Sequence, residues 1–387
     1  MNRVTIHLEA LRHNLRVIDT WMTQHGATWT VVTKVLCGHA ATLGALQLLG
    51  VRSMGDSRLD NLRAIERLIP GFEAWYLRVP NLSAIPDVVS LSDVSLNSEI
   101  EIIKAIDSEA RRQEKIHSII IMIELGDLRE GILPGSLIKF YEKVFELPNI
   151  RVLGIGSNLG CLAGAVPSID QFMQLILYRE LLELKFKHNL PMISAGSTST
   201  LPLILEKQLP KRINHFRIGE AIFLGTDLIN GGQLPDLRDD VVLLEAEIAE
   251  IKEKGLVPLG ETLALTPFQS ETDEDASPGQ RGYRALVSVG QLDTDVSGLT
   301  PVDPDHNIAG ASSDITVVNL GDNPKGLKVG DTIKFRANYS ALLRLMSGKY
   351  LSKEVEPPLE EFEQTLDGRR FEITPVLEQI TQREAAH

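Results

Sequence analysis

Three kinds of residue in this chain have chemistry available to them and sit where a fold could use it. Lys34 closes the β-branched run Thr30-Val31-Val32-Thr33 and is followed by a turn through Gly38 and a helix-compatible run from Ala40 to Leu49. Taken alone, such a lysine is a strand end reaching solvent, where most lysines lie. At the C-terminal edge of a parallel sheet it would instead offer an amine to a ligand. Gly196-Ser197-Thr198-Ser199-Thr200 places a run of hydroxyls at a helix start. That run either caps the helix or holds a phosphate through N–H and O–H donors, without any formal charge. Arginines are the third kind. Arg217 ends an apolar run, and Arg129 lies between Asp127 and Glu130; each is either a surface cation with a nearby carboxylate or a binding group.

These residues share a rhythm. Short apolar patches at 51–55, 74–79, 94–96, 116–125, 152–155, 191–194 and 213–218 alternate with helix-compatible runs such as 57–68, 98–112, 134–145 and 168–188. With the Lys34 strand they make eight strands separated by helical segments, the pattern of a parallel (β/α)8 TIM-type barrel. An open, doubly wound sheet would carry a glycine-rich fingerprint after its first strand, where this chain has only Gly38. In a barrel, ligand-binding groups collect at the C-terminal ends of the strands. Lys34, Glu124 with Asp127 and Arg129, Asn158 with Cys161, the hydroxyl run and Arg217 all fall at such ends. An amine, a phosphate anchor and an arginine for a ring nitrogen are what a pyridoxal phosphate site needs.

The remaining sequence bounds this reading. A chain of 387 residues exceeds one ordinary core, so two domains are expected. Beyond residue 225 the texture turns mostly β: 241–253, 284–289, 315–320 and 329–335 read as strands, 267–281 as a mobile polar loop, and no long helical pattern appears before the tail. The expected division is a barrel over 1–230, a β-rich domain over 231–355 and a charged tail over 356–387, disordered in part or lying on the surface. A net charge of −13 argues against nucleic acid or an anionic membrane as partner. The absence of a signal-like start or a long apolar stretch gives the cytoplasm as the expected compartment. Cys37 and Cys161 lack both a disulfide framework and metal-ligand spacing, so no metal is expected and each reads as a small buried hydrophobe.

Several motifs, in this order, match a known family. They are Val32-Thr33-Lys34-Val35-Leu36-Cys37-Gly38, Gly126-Asp127-Leu128-Arg129-Glu130-Gly131, Ser157-Asn158-Leu159-Gly160-Cys161, Gly196 to Pro202, Phe216 to Ala221, Gly310 to Asp314 and Asn338 to Arg344. Together they resemble the alanine racemase superfamily of fold-type III pyridoxal-phosphate enzymes, in its alanine/ornithine racemase-like branch. The resemblance implies that Lys34 holds the cofactor as an aldimine and moves the Cα proton on one face. It implies that Ser197, Thr198 and Tyr339 bind the phosphate, that Arg217 faces the pyridine nitrogen and keeps it unprotonated, and that Asn158 stands near the ring. Arg129 and Asp314 are then substrate-site residues, with Arg129 near the substrate carboxylate. Family members are head-to-tail homodimers in which the β-domain of one subunit completes the barrel site of the other.

One position departs from the family pattern. Alanine racemases use a β-domain tyrosine as the second base, and the matching place here is Val289-Gly290-Gln291-Leu292-Asp293. Gln291 cannot accept and return a proton, which leaves Tyr283, Asp293 or Cys161, or Lys34 serving both faces. An amino-acid racemase is therefore weighed against a lyase or decarboxylase on the same fold, and against a cofactor-binding protein without catalysis. Glu124, Asp127 and Asp293 could receive a basic side chain such as ornithine's, or be tied to Arg129 or Arg284 as structural pairs. The expectation leans toward a larger or basic amino acid rather than alanine.

Overall fold

The computed structural model describes residues 2–257, 279–366, 373 and 375–385. Its contacts divide the chain into two units. One comprises Arg12–Lys34, Thr42–Arg238 and Glu363–His387, the other Met1–Leu11, Val35–Ala41 and Asp239–Phe362. The first strand, β1 (Arg3–His7), belongs to the second unit. The next eight, β2 (Thr28–Val32), β3 (Ser53–Asp56), β4 (Glu73–Tyr76), β5 (Val94–Asn97), β6 (His117–Met122), β7 (Ile150–Gly156), β8 (Met192–Gly196) and β9 (His215–Ile218), close in order into a parallel barrel. All eight apolar patches expected as strands are strands. β2, β3, β4, β5 and β6 are buried at every position, as befits parallel strands covered on both faces.

The helical spacing read in the sequence also holds. Ile169–Phe186 opens on a capping box, with Ser168 Oγ accepting from Gln171 N and Gln171 Oε1 accepting from Ser168 N, so its start is fixed beside the strand ends. In Leu8–His25, Leu8, Leu11, Leu15, Ile18 and Met22 are all buried. The barrel core holds Val32, Trp75, Val94, Leu96, Ile120, Met122, Leu153 and Met192. Val376 and Ile380 of the C-terminal helix Val376–Ala385 join that core beneath the starts of the strands.

In the β unit, β10 (Val242–Gly255), β11 (Arg281–Val287), β12 (Leu299–Pro301), β13 (Asn307–Ala311), β14 (Thr316–Asn319), β15 (Thr332–Ala337) and β16 (Ser352–Glu356) complete the strands. The long β10 pairs antiparallel with β1, β11 and β15, and β1 runs parallel to β16. Arg3 of β1 bridges the carboxylates of Glu245 and Glu354 on its two neighbours.

Three features differ from the expected division. Residues 1–11 belong to the β unit, because β1 finds its partners far along the chain. A helix, Tyr339–Ser347, capped by Asn338 Oδ1 accepting from Ala341 N, interrupts the β texture. The described part of the expected tail forms the helices Leu359–Gln364 and Val376–Ala385, the second of which seals the barrel core, while β16 falls almost wholly within the expected β-rich domain. Of the loop expected at 267–281, residues 267–278 lie outside those described, and Arg281 begins β11. Among the described residues no helix is long and apolar enough to cross a membrane.

Candidate active site

β2 ends at Val32, and Lys34 opens a 3-10 turn, Lys34–Leu36, just past the strand. Its position is set from two sides. Thr33 N donates to Gly55 O, and Thr33 Oγ1 donates to buried Asp56, which also accepts from Arg58 N and Asn61. On the other side Gly219 lies so close to Val32 that a Cβ there would sit 2.9 Å from the Val32 carbonyl oxygen. Lys34 is half-buried, and its charge acts on Glu220. Burial raises the Glu220 pKa and Lys34 works against that rise.

Arg217 points inward from β9, alternating with outward Phe216, which meets His25 edge-on. Only 7% of Arg217 is exposed. Nη1 donates to Ser194 O at 2.6 Å and to Ser194 Oγ, and Nη2 donates to Ser157 O at 3.0 Å and Asn158 Oδ1 at 2.7 Å. Both terminal nitrogens are thus engaged, and Nε–H is the donor left without an acceptor among the described residues. Burial pushes the Arg217 pKa down to about 10; Glu130 opposes that fall and Arg129 adds to it. Even so lowered, the group is a cation at neutral pH. A buried guanidinium is tolerable because neutral acceptors surround it and a carboxylate lies near.

The Asn158 amide extends this arrangement. Its Nδ2 donates to Glu130 Oε1 at 2.6 Å, and Glu130 pairs with Arg129 Nε at 2.6 Å. Arg129 Nη1 in turn reaches Cys161 Sγ at 2.8 Å. Burial works against the Arg129 charge, but Glu130 and Cys161 outweigh it and the pKa is raised. Cys161 is exposed, contrary to the expected buried hydrophobe, because the loop after β7 turns it toward Arg129 rather than into the core; Cys37 is half-buried. Asp127 is not open to a ligand: its two oxygens accept from Cys161 N and Leu162 N. Glu124 is likewise taken up by the N–H groups of Gly126, Leu128 and Arg129. These two carboxylates shape loops, so the expected role of receiving a basic side chain does not fall to them.

In the hydroxyl run, Thr198 Oγ1 accepts from Ala221 N at 3.2 Å and so keeps its own proton to give. Ser199 donates to Leu159 O, which makes Ser197 the donor in the 2.8 Å Ser197–Ser199 contact. Thr200 closes the local cap by donating to Ser197 O while accepting from Ser197 N. Both readings of this run therefore apply, to different residues: Thr200 caps, Thr198 keeps a proton for a ligand, and half-exposed Ser197 gives its proton to Ser199.

Lys34, Arg129, Asn158, Ser197, Thr198 and Arg217 all stand at the C-terminal ends of barrel strands. Tyr283, Asp293, Asp314 and Tyr339 are in the β unit. Tyr283 lies on β11 opposite Glu253 and is 38% exposed. Gln291 N and Leu292 N donate to Ser312 O and Ser313 O, which zips the Gly290–Asp293 turn to the loop carrying Asp314. A Cβ on Gly290 would sit 2.5 Å from Asp314 N, so the contact demands glycine. Asp293 Oδ2 holds Gly290 N at 3.0 Å, and Asp314 accepts from the hydroxyls of Ser312 and Ser313. Tyr339 is the first residue of the helix Tyr339–Ser347.

The pairing of Arg129 with Glu130 that the sequence allowed is present; Ser194 and Glu220, which stand at the expected strand ends, were given no role, and His215 was missed. His215 sits between Ser194 Oγ (2.8 Å from Nδ1) and Thr30 Oγ1 (3.1 Å from Nε2) and stacks on Trp75. Burial, then the Arg217 charge, pushes its pKa well below the usual histidine value. The available signal was alternation: His215 and Arg217 two apart on one strand, Glu73 and Trp75 two apart on another.

Comparison with known proteins places this geometry. Residues 6–227 match the family described as alanine racemase, N-terminal domain. Ornithine racemase of Acetoanaerobium sticklandii is 34% identical over 354 residues, covering 91% of this chain and 99% of that protein. Lysine racemase of Thermotoga maritima is 33% identical over 359 residues, with 92% and 99% covered. Among solved structures, biosynthetic alanine racemase from Pseudomonas aeruginosa superposes with a TM-score of 0.69 at 16% identity, with 92% of this chain and 99% of that chain covered. Alanine racemase from Bartonella henselae, solved with covalently bound pyridoxal phosphate, gives 0.67 at 17% identity, again with 92% and 99% covered. These structures share the fold; the family assignment rests on the sequence matches along nearly the whole chain. A barrel with an amine at one strand end and a buried arginine at another, carried by a sequence one-third identical to racemases over nine-tenths of its length, belongs to the alanine racemase family of amino-acid racemases.

Proposed function

We propose that the chain is a pyridoxal-phosphate-dependent racemase of basic α-amino acids, the class that includes ornithine and lysine, with Lys34 as the amine that carries the cofactor. The observation behind this reading is Arg217, a buried cation with both terminal nitrogens anchored and Nε–H left to donate. The donor set fits the group. Thr198 has a hydroxyl proton for its phosphate, Ser197 would join it by turning its hydroxyl away from Ser199, Tyr339 would be a further phosphate ligand, and Asn158 lies beside Arg217 where the ring would stand. When bound, pyridoxal phosphate withdraws electrons from the amino acid's Cα and makes its proton labile.

The chain's own residues then do the following. Lys34 takes the Cα proton on its face and returns it, with the Glu220 carboxylate close enough to balance its charge. Arg217 does not give up its proton, so it would hold a ring nitrogen by donating to it and would leave that nitrogen unprotonated. A weaker electron sink favours return of the proton over longer-lived carbanion chemistry, which supports racemisation against the lyase and decarboxylase readings. Arg129, fixed by Glu130 and Cys161, has Nη2 to offer a substrate carboxylate. The opposite face is assigned to Tyr283 or Asp293, with Asp314 in the adjoining loop as a substrate contact. A head-to-tail homodimer in the cytoplasm completes the proposal. The basic substrate class rests on the ornithine and lysine racemases, which match this chain along nearly its whole length.

The test is reconstitution. The wild-type chain with pyridoxal phosphate should show a visible Schiff-base band that Lys34→Ala abolishes, and chiral chromatography should show L-ornithine or L-lysine racemised faster than L-alanine. A wild-type chain with no such band refutes the cofactor assignment. A band with CO2 release, or with no deuterium exchange at Cα, refutes racemisation. Tyr283→Phe and Asp293→Asn, compared in both substrate directions, separate the two candidates for the second face.

A further inference from the structure

The barrel interior holds an unbroken line of hydrogen bonds that no step above uses. From Arg217 it passes through Ser194 Oγ to His215 Nδ1, from His215 Nε2 to Thr30 Oγ1, from Thr30 to Ser53 Oγ at 3.0 Å, and from Ser53 to Glu73 Oε1 at 2.8 Å. Arg217, Ser194, His215, Thr30, Ser53 and Glu73 are all buried. Glu73 also receives Trp75 Nε1 at 2.8 Å and the N–H groups of Val376 (3.0 Å) and Leu377 (2.7 Å), at the start of the C-terminal helix. The line runs from the strand ends that carry Arg217 to the apolar seal at the strand starts.

Counting protons gives the line one direction. A guanidinium only donates and a carboxylate only accepts. Ser194 Oγ accepts from Arg217, so its own proton goes to Nδ1 of His215. The imidazole then carries its proton on Nε2 and donates to Thr30, Thr30 donates to Ser53, and Ser53 donates to Glu73. Run the other way, the Ser194 proton would be left without an acceptor on the line, and Glu73 would lose its hydroxyl donor. Burial keeps His215 neutral and raises the Glu73 pKa, while the four donors on Glu73 favour its ionised form. A cation at one end and an anion at the other, each making one charged hydrogen bond to the line, thus orient the three neutral hydrogen bonds between them.

We propose that Glu73, clamped by the N-terminus of the C-terminal helix, is a positioning residue for Arg217. It sets the direction of the line, fixes His215 as the Nε2–H tautomer, and keeps Ser194 turned to accept from the guanidinium, so that Nε rather than a terminal nitrogen faces the ligand. This inference rests on the proposed role of Arg217 toward the cofactor ring, but its test does not need the cofactor. The competing explanation is that Glu73 only anchors the helix.

The experiment is a long-range 1H–15N spectrum of the full chain labelled in histidine and arginine, without cofactor. Wild type should show His215 solely as Nε2–H. Ser53→Ala cuts the line while leaving Glu73 its three N–H partners and the helix in place. It should make an Nδ1–H form of His215 detectable and let the Arg217 guanidinium protons exchange roughly threefold faster or more. Ser53→Thr, which restores a hydroxyl, should reverse both changes. Glu73→Gln, if it folds, should act like Ser53→Ala. A wild-type His215 that is protonated or of the other tautomer overturns the proposal. So does an unchanged His215 in Ser53→Ala, or a change that Ser53→Thr does not reverse. Failure of wild type to take up pyridoxal phosphate would show as a missing visible band, and would count against the proposed function and not against this line.

Discussion

Replacing His117 should remove a defined part of the pH dependence of barrel stability. His117 opens β6 with 3% of its surface exposed, its Nε2 2.9 Å from Ser95 Oγ. Burial, with a smaller effect from Lys115, pushes its pKa down to about 4 from 6.5. An unfolded chain binds this proton near pH 6.5 and the folded one near 4, so between those values the unfolded state holds more protons and stability falls as pH drops. With these two pKa values, linkage gives a loss of about 2 kcal/mol between pH 8 and pH 5 and about 3 kcal/mol by pH 4. That is a sizeable part of a typical folding free energy of roughly 5–15 kcal/mol. Other buried groups also couple folding to pH: His215 is lowered too, while buried Glu73 and Asp56, raised by burial, act with the opposite sign. The difference between wild type and His117→Gln cancels them. Urea unfolding can be followed by tryptophan fluorescence, because Trp21, Trp29 and Trp75 all lie in the barrel unit. The stability difference should change by about 2 kcal/mol between pH 8 and pH 5, wild type losing more on acidification. A difference that stays flat would refute the claim that His117 is held neutral by burial.

Three further outcomes follow from the same geometry. Gly219→Ala should cost about 1–3 kcal/mol, because the new methyl meets the Val32 backbone; a urea midpoint equal to wild type would show that the β2–β9 contact yields freely. Glu130→Ala removes the carboxylate shared by Arg129 and Asn158 and should lower kcat/KM by roughly tenfold or more in steady-state assays, whereas an unchanged value would separate that pair from the reaction. Ending the chain before the C-terminal helix exposes the core beneath Val376 and Ile380, worth about 1.5–3 kcal/mol each, and strips two N–H donors from Glu73. The shortened barrel should unfold at markedly lower urea or fail to accumulate as soluble protein, and a midpoint equal to that of the full chain would rule out a sealing role.

How far the sequence could be read follows from the range of each interaction. The barrel strands were legible because a strand buried on both faces must be apolar along its own length, as in Thr28–Val32 and His117–Met122. The rim residues were legible because Lys34, Asn158, Thr198 and Arg217 each stand at the end of such a run. β1 was not, since nothing in Arg3–His7 says that its neighbours are Val242–Glu245 and Ser352–Glu356. Glu124 and Asp127 misled for a related reason: a carboxylate beside an arginine looks available until the loop's own N–H groups are seen to take it up.

Glu73 is the extreme case. Its backbone-N–H partners at Val376 and Leu377 lie more than 300 residues along the chain, in a stretch whose composition suggests only a charged surface tail. What the sequence does carry is a conflict: a carboxylate, a histidine and an arginine at inward positions of strands otherwise built for an apolar core. Each such group is costly to bury alone. Three of them at alternating positions on two strands are tolerable only if hydroxyls connect them, and Thr30, Ser53 and Ser194 lie on neighbouring strands at the levels where that connection is needed. A polar residue at a period-two core position is therefore a reason to look for its partners on the adjacent strands of the barrel, before assigning it to solvent.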